Sequence, residues 1–119
     1  MKTLLFLQLP QLDNVVSGAH ENVPLAAATL SWAVAVAPIG RDIAPLSLPA
    51  TLDLADDDTL AAAILERDPA FLACTLFLWN IERSLALLRR IKQARPAIRI
   101  AVGGPEVAQG HPLLRNRPE

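Results

Sequence analysis

The stretch of residues 71–96 constrains the fold more than any other part of this chain. It begins with an almost unbroken apolar run, FLACTLFLW, which ends at Asn80. A short apolar run of this kind is typical of a parallel strand that is buried on both faces. The residues that follow carry apolar side chains at helical spacing as far as Pro96, which predicts a helix that stops there. The sequence therefore predicts a strand, a turn and a helix.

The predicted helix has a clear inward face and a clear start. Its apolar stripe consists of Ile81, Leu85, Leu88 and Ile91. We expect Asn80 to fix the start of the helix by accepting a hydrogen bond from a free amide of the first turn. Glu82 near the start and several basic residues near the end oppose the helix dipole, as expected of a stable helix.

Two apolar runs earlier in the chain predict further strands. Residues 3–9 form a short, mainly apolar run that ends at Pro10, a pattern typical of a central parallel strand. Residues 42–48 form a weaker strand that contains Pro45, and proline is tolerated in a sheet mainly at an edge. An edge position for the second strand is a property of the flavodoxin-like order 2-1-3-4-5.

Two more helices are expected between these strands. The first begins at Asn22, which we expect to cap it with Pro24 in the first turn, and it ends before Pro38. Its small apolar side chains, which we expect to lie against the sheet, are those of Ala26, Ala27, Ala28, Leu30 and Ala33. The second is expected to run from a cap at Asp58 through Arg67. Its inward residues are expected to be Leu60, Ala61 and Ile64.

A fourth strand, residues 97–102, leads directly into Gly103 and Gly104. Strands that alternate with helices in this way predict an α/β fold with a flavodoxin-like, Rossmann-like doubly wound parallel sheet. Such a sheet normally has five strands, so we expect this one to be truncated after the fourth. The 119 residues suffice for one domain. We expect it to span residues 1–107, with a tail over residues 108–119 that begins the missing last part.

Composition argues against several classes of partner. The net charge is −1, and the basic residues concentrate at one helix end and in the tail rather than along a stripe, so nucleic acid is not expected. No apolar stretch reaches the roughly 20 residues that span a bilayer, so a membrane anchor is not expected either. The single cysteine, Cys74, lies within the apolar strand, which favours a small core residue and a reducing, cytoplasmic setting.

No pattern of side chains predicts catalysis or a metal site. His20 and His111 have no second ligand at a metal-binding spacing, and the acidic run at residues 56–58 lacks the alternation of a calcium loop. The glycine-rich phosphate-binding fingerprints are absent as well. An enzyme that uses Asp13 or Glu106 as an acid or base remains an alternative, weakened because no neighbour in the sequence would tune the pKa of either.

Three segments taken together resemble a known family. They are NVPLAA from Asn22, TLFLWNIER from Thr75 and VGGPEV from residue 102. They resemble the N-terminal cobalamin-binding domain of class B radical SAM enzymes, over almost the whole chain. The resemblance implies a flavodoxin-like domain that holds a corrinoid at the carboxyl edge of its sheet. In related domains a Ser or Thr of the third strand and a glycine pair after the fourth line the nucleotide tail, and Thr75, Gly103 and Gly104 match these positions.

Two departures from the wider pattern refine this expectation. The Asp-x-His-x-x-Gly loop that supplies a cobalt ligand is absent, since neither Asp13 nor His20 has the required neighbours. The resemblance therefore implies base-off cobalamin without a histidine ligand. A single cysteine cannot form the Cys-x-x-x-Cys-x-x-Cys motif of an iron–sulfur cluster. S-adenosylmethionine and the cluster are thus expected only if a downstream domain exists, and the chain alone is not expected to be a methylase.

The resemblance implies a cobalamin-binding module that presents cobalt to a radical SAM barrel domain, in cis or in trans, for methyl transfer or related radical chemistry. The expected cofactor-binding residues are Leu9, Pro10, Gln11, Asn22, Val23, Thr75, Leu78, Trp79, Asn80, Gly103, Gly104, Pro105 and Glu106. Thr75 and the glycine pair are expected at the nucleotide tail, and Trp79 and Asn80 nearer the corrin. The alternative is a ligand-free flavodoxin-like scaffold that docks a partner through an open sheet edge.

Overall fold

The computed structural model describes residues 1–11 and 22–119, in which four parallel strands form one sheet. The strands are β1 (Lys2–Leu7), β2 (Ile43–Ser47), β3 (Phe71–Thr75) and β4 (Arg99–Gly103). Their order in the sheet is β2-β1-β3-β4, and each neighbouring pair is parallel. The predicted flavodoxin-like α/β fold is confirmed through its fourth strand. The edge position of β2, which Pro45 indicated, is confirmed as well.

Three α-helices connect the strands. They are α1 (Leu25–Val36), α2 (Asp57–Glu66) and α3 (Ile81–Ala94), and short 3-10 turns flank β2. Helices α2 and α3 contact each other, whereas α1 packs against β2. Right-handed crossovers on either side of β1 place α1 on the face of the sheet opposite to α2 and α3. No helix within the described residues is both long enough and apolar enough to cross a bilayer.

The main core lies between the sheet and the α2–α3 layer. The predicted stripe of α3 is fully confirmed, because Ile81, Leu85, Leu88 and Ile91 are all buried. The three inward residues predicted for α2 are buried as well. On the sheet this core includes Leu5, Leu7, Leu72, Cys74 and Leu76. Cys74 is therefore a small core residue, as its place in the apolar run predicted.

Helix α1 is oriented differently from the sequence-based expectation. Of the five residues expected against the sheet only Ala27 is buried, while Ala28 and Ala33 are exposed and Leu30 is half-exposed. Ser31 and Val34, which follow Ala27 at helical spacing, are partly buried instead. A helix that is apolar on every side has no periodic pattern to mark its inward face, so the sequence could not determine this orientation.

The starts of α1 and α2 also correct the sequence-based assignments. Helix α1 follows Pro24 without any side-chain cap, and Asn22 lies outside its first turn. Helix α2 is capped by Asp56, whose carboxylate accepts a hydrogen bond from the Thr59 amide at 2.7 Å, and not by Asp58. Each polar residue close to a helix start can reach a different set of free amides, and only the backbone conformation selects among them.

The last residues fold back onto the α3 side of the sheet. Leu113 and Leu114 pack against the main core. The Glu119 carboxylate forms ion pairs with Arg117 at 3.0 Å and with Arg89 of α3 at 3.4 Å. The tail predicted for residues 108–119 thus contacts the preceding chain, and the expected domain boundary remains a prediction.

Candidate functional site

The carboxyl ends of β1, β3 and β4 meet at one edge of the sheet, where ligands bind in open α/β folds. Most of the residues expected to bind a cofactor lie in the segments that follow these three strands. The structure thus brings together three sequence segments that are far apart in the chain. Helix α3 starts at the same edge, just after β3.

Thr75 and the glycine pair lie side by side at this edge. Thr75 pairs with Gly103 across β3 and β4, and paired residues of parallel strands share a face of the sheet. A Cβ atom on Gly103 would meet no atom within 4 Å. The φ of Gly104 is +105°, and a Cβ there would lie 2.7 Å from the Leu76 carbonyl oxygen and 3.1 Å from the Thr75 methyl carbon. Gly104 is therefore required by its backbone, while Gly103 leaves open space beside Thr75.

The Thr75 side chain is half-buried, and its hydroxyl forms no hydrogen bond to any residue that the structure describes. On the same face of β4, Ala101 and Gly103 are exposed. Because a hydroxyl both donates and accepts hydrogen bonds, this position can bind a polar group laid across the ends of β3 and β4.

Asn80 ties the ends of two strands together beneath this edge. Its amide nitrogen donates to the Leu9 carbonyl at 3.0 Å and to the Thr75 carbonyl at 3.2 Å, and its amide oxygen accepts from the Phe77 amide at 2.8 Å. The side chain is only 1% exposed. Helix α3 begins after Asn80 as predicted, but the expected capping bond is absent. Asn80 thus holds the loops after β1 and β3 in place.

A second tie joins the end of β1 to the segment before α1. The Gln8 side-chain amide donates to Asn22 Oδ1 at 3.0 Å, and the Asn22 side-chain amide donates to the backbone carbonyl of Gln8 at 3.0 Å. Beside this pair is a cavity of about 90 Å³, bordered by Phe6 and Ala27 among others. This volume is well below the roughly 300–1,000 Å³ of sites that enclose drug-sized ligands. Leu9, expected at the site, is buried in the main core.

Apolar side chains project from the edge next to Thr75. Leu78 and Trp79 are 78% and 53% exposed, and Val23 is exposed before α1. The Trp79 ring stacks on Phe77 with centroids 4.6 Å apart and planes within 5°. Two stacked rings restrict each other's rotation, so they present a fixed apolar surface. Such a surface suits a large planar ligand at this edge of the sheet.

Glu106 pairs with His111, a neighbour that the sequence did not indicate. The His111 Nε2 atom lies 3.1 Å from the Glu106 carboxylate, and its Nδ1 atom accepts a hydrogen bond from the Leu113 amide at 3.2 Å. The neutral ring therefore carries its proton on Nε2 and donates it to Glu106. The turn that brings His111 back to Glu106 contains Gly110, whose φ is +79°. This glycine was the signal of the turn in the sequence around it.

The remaining expected site residues are placed as follows. Pro10 is half-buried, and Gln11 and Pro105 are exposed. Asp13 and His20 lie outside the residues that the structure describes. The acid or base role considered for Asp13 thus stays a prediction.

A larger hollow of about 300 Å³ opens at the amino ends of β3 and β4. It is bordered by Lys2, Arg99 and an ion pair between Asp68 and Arg95. It lies at the opposite end of the strands from Thr75 and the glycine pair. The larger volume therefore does not coincide with the edge that binds ligands in this class of fold.

Within the described parts of the chain, no three His, Cys, Asp or Glu side chains are grouped closely enough to hold a metal ion. No protein-family model matches this chain, and a search of curated proteins gave no match.

Proposed function

We propose that this domain binds a cobalamin at the carboxyl edge of its sheet and presents the cobalt to a radical SAM barrel domain, in cis or in trans. The observation that carries the proposal is the adjacency of Thr75 and Gly103 on one face of the sheet. A hydroxyl without a partner among the described residues, beside bare backbone, is what a nucleotide tail needs in order to be hydrogen-bonded and packed closely at once.

The residues present fit the chemistry of a corrinoid at an open rim. Thr75 would hydrogen-bond the polar tail, and Gly103 would let the tail lie against the backbone of β4. Leu78 and Trp79 would pack against the apolar periphery of the corrin, because both are exposed beside Thr75. The 90 Å³ cavity is too small for the tail, so the tail would lie on the exposed face of β3 and β4.

A bound cobalamin would supply a cobalt that can carry a methyl group, while this chain's residues would orient the cofactor. Asn80 and the pair of Gln8 with Asn22 would keep the loops of the rim in place. The His111 Nε2 proton is directed to Glu106, which favours binding without a histidine ligand. Iron–sulfur and S-adenosylmethionine chemistry would come from the barrel domain.

The direct test is titration of the purified protein with hydroxocobalamin, followed by desalting and the corrin absorption spectrum. We expect retained corrinoid with a base-off spectrum. Gly103→Leu should weaken retention about tenfold or more, because its side chain would occupy the space beside Thr75, where an added Cβ atom meets no atom within 4 Å. Thr75→Val should weaken it less, by the loss of one hydrogen bond.

The matched control is Ala62→Leu, which introduces the same side chain at an exposed position of α2, on the other side of the sheet. It should retain corrinoid as the wild type does. Absence of retained corrinoid in the wild type, or retention that is unchanged in Gly103→Leu, would contradict the proposal.

A docking scaffold is the second candidate, favoured by the open edge of the sheet. Strand β4 pairs with β3 alone among the described strands. The Arg99 amide donates to the Ala70 carbonyl and the Gly103 carbonyl accepts from the Leu76 amide, at the two ends of β3. The backbone groups of Ile100 and Val102 therefore face the open side. Such an edge can accept a strand from another protein. The same titration distinguishes the two candidates, because a scaffold would retain no corrinoid.

A further inference from the structure

The outward side of helix α1 is apolar where solvent-facing helices are normally charged. None of its 12 residues carries a charge. Leu25, Trp32 and Val36 are 70%, 69% and 65% exposed. A helix that is apolar all round is usually buried, and a contiguous exposed apolar patch usually marks an interaction surface. In the isolated chain this patch stays in contact with water, which is unfavourable.

The exposed residues follow the spacing of a helix–helix seam. Leu25, Thr29, Trp32 and Val36 are separated by four, three and four positions, which is the alternation of a heptad repeat. The Thr29 hydroxyl donates to the Leu25 carbonyl at 3.0 Å, so its polar group is satisfied within the helix. The opposite side, with Ala27, already packs toward the sheet. The seam is thus a second apolar stripe, separate from the stripe with which α1 packs against the sheet.

The area of the seam is that of a weak, reversible interface. Its large side chains are those of Leu25, Trp32 and Val36, each about two thirds exposed. Together they present about half of the roughly 800 Å² that each partner buries in a standard interface. Trp32 is a suitable central anchor, because tryptophan is enriched among the residues that dominate binding energy.

We propose that α1 is a self-association surface, on which the seam of one chain packs antiparallel against the same seam of a second copy. A charge-free face packs on its own copy without bringing like charges together. Neither the first nor the last turn of α1 holds a charge that would offset the helix dipole. An antiparallel copy places each helix start beside the end of the other helix, so the two dipoles offset each other.

Other occupants fit this face less well. A helix that binds a lipid surface carries Lys or Arg along its polar side, and α1 has neither. A charged partner segment would find no opposite charge on the face. The surface also lies on the outward side of α1 and not at the ends of β3 and β4, where Thr75 and Gly103 lie.

The two-fold arrangement fixes which residues meet. The centre of the seam lies between Thr29 and Trp32, so Thr29 faces Trp32 of the second copy and Leu25 faces Val36 of the second copy. A parallel arrangement would instead place each residue opposite itself. This difference can be tested with complementary charges.

The experiment is sedimentation equilibrium of the full chain over a hundredfold range of concentration. We expect the wild type to form a dimer of twice the 12.8 kDa chain mass. Trp32→Glu should raise the dimer dissociation constant about 30-fold or more, since it buries a charge at the centre of the seam. The matched control Val107→Glu, at an exposed apolar residue in the turn after β4, should leave the dissociation constant unchanged. Circular dichroism checks that both variants are folded.

A mixture tests the antiparallel geometry. Thr29→Lys and Trp32→Glu should each be monomeric alone, whereas an equimolar mixture should form a heterodimer through the introduced ammonium and carboxylate. A monomeric wild type, an unchanged dimer in Trp32→Glu or a mixture that stays monomeric would each overturn the proposal. Flotation of a monomeric wild type with vesicles of phosphatidylcholine and phosphatidylglycerol would overturn it in favour of a lipid surface.

Discussion

Among single residues, Asn80 shows how one buried side chain joins the carboxyl ends of two strands. A single amide group joins the end of β1, the end of β3 and the turn before α3. Backbone groups at strand ends lose their ladder partners, and burial makes an unpaired group costly. One asparagine satisfies three such groups. The position therefore serves stability and places the residues above it.

We predict that Asn80→Ala lowers the free energy of unfolding by about 2–4 kcal/mol, because it leaves buried carbonyl and amide groups without partners. Urea denaturation measures the change. Asn22→Ala is the matched control: its hydrogen bonds are only partly buried, so its loss should be about 1 kcal/mol or less. Equal effects of the two substitutions would show that Asn80 has no special structural role.

Cys74 provides a second prediction at this scale. Burial raises the pKa of its thiol to about 12 from an ordinary value of 9.0, against a smaller lowering by the Ser84 hydroxyl. The folded protein thus keeps a proton that the unfolded chain loses above pH 9. Stability from this group is complete below about pH 9 and decreases as the pH rises toward 12.

We expect thiol reagents at pH 8 to label Cys74 only at the rate of unfolding. The urea-derived free energy of unfolding should fall between pH 9 and 10.5 more steeply than in Cys74→Ala. Rapid labelling of the native protein, or the same pH dependence in the Cys74→Ala variant, would argue that the thiol is accessible.

Among the helices, α2 has two candidate N-cap residues, Asp56 in the structure and Asp58 in the sequence-based expectation. The Thr59 amide lowers the pKa of the Asp56 carboxyl by hydrogen bonding to it. A lowered pKa in the folded state stabilises the protein above the ordinary value of 3.8, and this stabilisation is lost as the pH falls through the lowered value. Asp58, the cap expected from the sequence, instead forms an exposed ion pair with Arg90.

We predict that Asp56→Ala lowers the thermal unfolding midpoint at pH 7 more than Asp58→Ala, because an N-cap bond outweighs an exposed ion pair. Asp56→Asn should keep most of the stability, since asparagine also caps well. The difference between wild type and Asp56→Ala should shrink as the pH falls below 3.8. A larger loss in Asp58→Ala would restore the sequence-based assignment.

At the scale of the whole molecule, the sequence predicted the features that depend on periodic apolar patterns. The α3 stripe has one unambiguous face, and Pro45 marks β2 as an edge strand, so strand order and the main core followed. The caps of α1 and α2 and the hydrogen-bond partners of the Asn80 side chain could not be predicted, because several polar residues near each helix start compete for partners of similar energy. The pairing of Glu106 with His111 depended on a chain reversal at Gly110 that no periodic pattern marks.

The distribution of buried apolar residues predicts that the helices on the two faces of the sheet differ in local stability. The α2–α3 face buries a continuous core, whereas α1 has one buried residue on the other face. Local opening free energy follows the number of buried apolar contacts that must be broken. Helix α1 should therefore open without disturbing α3.

We predict that amide hydrogen exchange of α1 in the monomeric variant Trp32→Glu is at least about tenfold faster than that of α3. The amides of β1, β3 and α3 should be the slowest, because they surround Leu5, Leu72 and Ile91, all of which are fully buried. In the wild type, α1 should gain protection as the protein concentration rises, whereas α3 should not. The measurement is hydrogen exchange at two concentrations with peptide-level mass spectrometry. Equal protection of α1 and α3 in the monomeric variant would mean that α1 is held by the sheet alone and opens only with the whole domain.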